Sequence, residues 1–171
     1  IPERYLRFLR EGDATPLQGV FEHHRLDIVS LAHLFLRIES ILSEPASDPT
    51  VDRFQLGRWL LASNDMRGRD LLRSVVETGE HRRADQAAVL VARTLRREGR
   101  PRDALEVLGA RGGWSSALLA VEAAKVFEHD LRDPTGARGV VEALMAATPE
   151  SQVTPDLLHR LARLKRKTRR R

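Results

Sequence analysis

The chain has 171 residues, 42% apolar, 5% aromatic and 31% charged, and contains no cysteine. That length suffices for one domain of ordinary size, while the composition excludes disulfides and thiolate metal sites and offers no run of about 18 apolar residues to cross a membrane. Net charge is +5, but the last seven residues, KRKTRRR, hold six basic groups, so the remainder sums to −1 and the body is not a basic protein. An abundance of Ala, Leu, Arg and Glu favours helices over a β-sandwich, so an all-α protein is expected. The start lacks a basic-then-apolar signal pattern, and a cytoplasmic setting is the default.

Residues Ile1 to Arg10 read as a short helix with Tyr5, Leu6, Phe8 and Leu9 on its apolar side, followed by a turn around Gly12 and Asp13. From Thr15 to Glu44 runs a single long helical pattern. Thr15 is suited to cap it, Pro16 to its first position, Gln18 completes a capping box and Pro45 closes it. Leu17, Val20, Phe21, His24, Ile28, Leu31, Phe35, Ile38 and Leu42 recur at steps of three and four as an apolar stripe. Within that stripe His24 reads as a part-buried packing residue.

Flanking the stripe, His23 and Asp27 lie four residues apart. On a helix that spacing sets two side chains on one face with β-carbons about 5–6 Å apart, so one imidazole and one carboxylate point the same way. Taken alone, such a pair is an ordinary surface ion pair. A metal site built only from His23, His24, Asp27 and His33 is disfavoured, because His24 falls in the stripe and His33 lies well along the helix.

Pro45 to Pro49, PASDP, reads as a linker, with Asp48 as the cap and Pro49 as the opening of the next helix. Helix pairs are then expected at 51–63 with 66–78, 84–98 with 101–109, and 116–130 with 135–148, closed by a last helix from Pro155 to about Lys167. Small residues at Gly57, Ala92 and Ala124 are spaced by 35 and 32, and those at Gly68, Ala104 and Ala137 by 36 and 33. Both spacings match the tetratricopeptide (TPR) length of about 34, in which small residues let paired helices approach closely. Trp59 reads as core, and Trp114, beside the two glycines of RGGWS, as a packing residue at a repeat junction.

The opening run IPERYLRFLREGDATPLQGVFEHHRLDIVSLAHL, and the later AAKVFEHDLRDPTGA at 123–137, resemble segments of the YprB-like family. In that family an RNase H-fold, DEDD-type exonuclease domain is joined to a TPR region. The resemblance implies four acidic residues holding two divalent metals, Mg²⁺ or Mn²⁺, with a His or Tyr activating water. Carried onto this sequence, Asp27 matches the last acidic ligand and His23 the base placed four residues before it.

The resemblance further implies that residues 1–44 are the C-terminal helices of an RNase H-like exonuclease domain whose remainder is absent, that 45–49 is a linker, and that 50–171 are TPR-like antiparallel helix pairs with a capping helix and a basic tail. The intact protein is expected to be a 3′-to-5′ DNA exonuclease acting in DNA repair, with DNA and a helicase as partners. This fragment alone is expected to be inactive, to bind no cofactor, and to leave apolar surface on the long helix uncovered unless the later helices or another molecule cover it. The alternative is a TPR-type interaction scaffold with no catalytic role.

Lys125, Glu128 and His129 read either as ligand contacts in a concave groove or as a polar helix face with local ion pairs. The tail, with Lys165, Arg166, Lys167, Arg169, Arg170 and Arg171, has the charge density to neutralise phosphates, and is equally a solvated helix end that suits the helix dipole.

Overall fold

A computed structural model describes residues 2–45, 47–78, 81–110, 112–114, 116–149 and 154–169, without the side chains of His81 and Arg82. Among these residues the chain is all-α: nine α-helices and no strand. It divides into two compact units, 1–51 and 52–171.

The first unit holds α1 (Pro2–Glu11), a 3₁₀ turn (Thr15–Leu17) and α2 (Gln18–Ser43). The cap differs from the sequence expectation. Neither Thr15 nor Gln18 makes a capping bond; instead Asp13 Oδ1 accepts from the Thr15 backbone N–H at 2.9 Å, and Pro16 sits inside the 3₁₀ turn. The Asx turn satisfies the entry, so a capping box has nothing left to do. At the other end the Glu44 N–H donates to the Ser40 carbonyl, and Pro45 stops the helix.

Asp48, the anticipated cap of the next helix, instead accepts from the backbone and hydroxyl of Thr50 at 2.9 and 2.6 Å and pairs with Arg37 on α2. Those hydrogen bonds hold its carboxyl below the ordinary aspartate range. The cap of α3 is Asp52, whose Oδ1 accepts from the Gln55 N–H at 3.2 Å. A Pro directly after Asp48 would suit a helix start, but the Asp48–Thr50 turn uses the same carboxylate.

The second unit stacks α3 (Arg53–Ala62), α4 (Arg67–Thr78), α5 (His81–Arg97), α6 (Pro101–Gly109), α7 (Ala117–Lys125), α8 (Pro134–Ala147) and α9 (Pro155–Arg169). From α4 onward each helix packs on the one before it, and α5 packs on α4, α6 and α7. The six small residues of the repeat pattern, Gly57, Gly68, Ala92, Ala104, Ala124 and Ala137, are all buried. Small size matters most where α3 crosses α4. A β-carbon on Gly68 would stand 2.6 Å from the Gly57 carbonyl oxygen and 2.7 Å from the Leu61 nitrogen, so only glycine permits that approach.

Around these contacts lies a core of Leu72, Val91, Leu95, Leu108 and the α5 and α7 alanines. Ala124, Ala137, Val141 and Leu164 continue it beneath α9. Trp114 packs at its edge, as the sequence suggests, but Trp59 does not: it is 57% exposed. Its helix turns Phe54, Gly57 and Leu60 inward, and position 59 falls on the opposite face.

The end of α7 widens into a π-turn, Val126–Asp130, so the expected continuous helix at 116–130 changes its winding at Val126. Asp133 then caps α8, accepting from Thr135 and Gly136 at 3.0 and 2.9 Å. Gly136 is required there, since a β-carbon would meet Asp133 Oδ2 at 2.5 Å and Phe127 at 2.6 Å. The LRDPTGA signature is thus a helix-entry device.

Candidate functional site

The first candidate site is the His23 and Asp27 pair on α2. The structure brings the two together as the four-residue spacing requires, His23 Nε2 standing 3.4 Å from Asp27 Oδ2, with the side chains 75% and 51% exposed. His24 is exposed rather than part-buried, and so is His33. Among the described residues no group of three or more His, Cys, Asp or Glu side chains could hold a metal ion. Asp27 offers a single carboxylate, whereas Mg²⁺ takes six oxygen ligands in octahedral geometry. The described residues alone therefore do not fit a divalent-metal site.

The setting of the pair is unusual for a surface helix. Phe21, Ile28, Leu31, Leu34, Phe35, Leu36 and Ile38 of α2 are all exposed, as are Leu26 and Val29. At 3.6 residues per turn they spread over more than half of the circumference, well beyond the single stripe of a helix lying on a core. His23 and Asp27 sit where this apolar arc meets the polar one carrying Glu22, Ser30 and Arg37.

In the second unit lies a network that sequence reading caught only in part. Glu122 of α7 has a side chain only 4% exposed, and Arg93, Arg96 and Lys125 all donate to it, at 2.9 to 3.3 Å. Arg96 also binds Asp130. Burial opposes the charge on Glu122, but the bonds from Arg93 and Lys125 outweigh it and hold the carboxyl below the ordinary glutamate range. The π-turn presents Glu128 the same way. Its side chain is 2% exposed, it accepts from Arg163 and Lys167 of α9 at 2.6 Å each, and those cations hold it below its ordinary range against burial.

Glu128 is therefore an anchor beneath the surface, while Lys125 and His129 line a groove. Glu122 was missed. The signal was a carboxylate at an apolar position of its helix, three residues after Leu119 and four before Val126.

Of the basic tail, α9 carries Lys165, Arg166, Lys167 and Arg169 to the end of the helix. Lys167 is paired with buried Glu128, and Lys165, Arg166 and Arg169 are exposed. Arg170 and Arg171 lie outside the described residues.

Over 176 residues the chain is 29% identical to the protein named "Uncharacterized protein YprB" from Bacillus subtilis (strain 168), covering 97% of this chain and 42% of that one. The chain thus spans about two fifths of that relative's length. No protein-family model matches it, and neither does any solved structure. Among the described residues no helix is long and apolar enough to cross a membrane.

Proposed function

We propose that this chain belongs to a metal-dependent 3′-to-5′ DNA exonuclease acting in DNA repair. Residues 1–44 supply the end of an RNase H-like domain, and the second unit is a TPR-like helical region that serves substrate or partner. The observation that carries this reading is α2. A helix with apolar side chains over more than half its circumference, none of it shaped to cross a membrane, has the composition of an interior helix in a larger body. His23 and Asp27 stand at the edge of that apolar arc, where a site would open.

In that role Asp27 would be one carboxylate ligand of a divalent metal, which would supply Lewis acidity, and His23 would be the base beside it. The remaining acidic ligands come from outside the described residues, in keeping with the greater length of the relative. Its test is degradation of end-labelled DNA with Mg²⁺ or Mn²⁺ by the full-length gene product, beside residues 1–171, His23→Ala and Asp27→Ala. Activity in the full-length protein and in none of the other three supports the assignment; activity indifferent to both substitutions overturns it.

A second reading is favoured by the charged groove of the second unit. There the helical stack is an interaction scaffold, and His23 and Asp27 are a surface ion pair. Absence of nuclease activity under either metal would leave that reading standing.

A further inference from the structure

The second unit contains an open groove of about 890 Å³ between α5, α7, α8 and α9. Its walls carry Arg96, Lys125, Arg160 and Arg163, and Asp156 is the acid among the described lining residues. Three of these cations are held from behind. Arg96 and Lys125 are held by Glu122 and Arg163 by Glu128, carboxylates buried beneath the groove surface. Arg160 has no carboxylate partner among the described residues and is half-buried in the wall.

Holding a long cationic side chain in place removes rotamer freedom that a ligand would otherwise have to quench. It also leaves donors in hand. Among the described residues one terminal nitrogen of the Arg163 guanidinium and one of the three Lys125 ammonium protons are engaged. Buried carboxylates that only neutralised their neighbours would leave no surplus. Here Arg93, Arg96, Lys125, Arg160, Arg163 and Lys167 outnumber Glu122, Glu128, Asp130 and Asp156.

The other lining residues decide between anionic ligands. Ala117 and Val121 give the groove apolar surface between the cations, and its described lining residues include no Phe, Tyr or Trp, the rings there being the imidazoles of His129 and His159. Single-stranded nucleic acid is held by stacking on aromatic platforms along a cationic track. A peptide that alternates carboxylates with an apolar side chain matches cations set around aliphatic surface.

We infer that this groove binds an acidic peptide segment bearing an apolar anchor, Arg160, Lys125 and Arg163 pairing its carboxylates and Ala117 and Val121 receiving the anchor. The inference rests on the helical-region part of the proposed function and names its ligand. Its outcome is independent of the nuclease test, which reads α2.

The experiment is fluorescence anisotropy of residues 1–171 with a labelled peptide of glutamates around a central leucine. Two controls run beside it: the same peptide with lysine for glutamate, and labelled oligothymidylate. Binding of the glutamate peptide alone is expected. Arg160→Glu should weaken it by about tenfold or more, as loss of a charge-assisted bond does, with an unchanged thermal unfolding curve, while Lys125→Ala should weaken it similarly and also lower the unfolding midpoint, because Lys125 pairs with buried Glu122. Replacing the peptide's leucine by serine should weaken it again. No binding of the glutamate peptide, binding indifferent to Arg160→Glu, or tighter binding of oligothymidylate lost in the same variants would overturn the inference.

Discussion

The two units use apolar residues in opposite ways. In the second, most large aliphatic side chains of α4 to α8 are enclosed: Leu72, Leu95, Leu108 and Leu144 are almost wholly buried against alanines that bring the helices close, and Leu118 is the exception at 43% exposed. In the first, α2 carries as dense a set of aliphatic and aromatic side chains, and Phe35 is 70% exposed. Hydrophobic burial stabilises a fold only where surface is removed from water. The second unit has the marks of a body that stands by itself, and α2 those of one that finishes its burial elsewhere.

Substitutions in the two places should therefore differ in size and even in sign. The largest expected effect is Leu72→Ala, which opens a cavity in the middle of the second unit and should cost about 3–5 kcal/mol in chemical denaturation. Phe35→Ala on α2 should cost less than about 0.5 kcal/mol in residues 1–171. If α2 is interior to a larger body, the same change in the full-length protein should cost several-fold more. Equal small costs in both forms would break the comparison.

Next comes a matched pair of glycines. Gly68→Ala drives a β-carbon into the backbone of α3 and should destabilise by about 2–3 kcal/mol. Gly19→Ala on α2 meets nothing within 4 Å and should stabilise the helix by up to about 1 kcal/mol, read as a gain in helicity by circular dichroism. Loss of stability in both would mean that α2 is packed after all.

A smaller effect tests the buried carboxylates. Glu122 and Glu128 have carboxyls held below their ordinary range in the folded chain, so the unfolded chain binds their protons more tightly. Their stabilisation is then fully present above the ordinary glutamate pKa of about 4.3 and is lost as pH falls through that value and below it. Denaturation midpoints should drop more steeply below about pH 4.5 in the wild type than in a Glu122→Gln, Glu128→Gln double variant. Parallel profiles would show that the network adds nothing to folding.

The smallest effect concerns the site residues. His23→Ala and Asp27→Ala should each change stability of residues 1–171 by less than about 0.5 kcal/mol, since both side chains are exposed. A loss of nuclease activity in the full-length protein would then be chemical and not structural.

Much of the helical layout was legible because it rests on local rules. Pro101 opens α6 and Gly109 ends it at the anticipated positions, and Pro155 opens α9. The repeat spacing pointed to small residues that are indeed buried. Caps were harder: Thr15, Asp48 and Asp52 all have side chains able to cap, and which one does so depends on turns a few residues away. Of the candidate sites, the approach of His23 to Asp27 was legible because helix pitch dictates it. The groove was not, because its cations come from α5, α7 and α9 and converge only through packing.

An all-α chain, the order of its helices and the small residues at their contacts follow from local pattern, because propensity, proline and glycine geometry and apolar periodicity act over a few neighbouring residues. Packing alone sets Trp59 facing water and buries Glu122 and Glu128 among cations. Burial is a property of what packs against a residue, and that partner lies far away in sequence or in another body altogether.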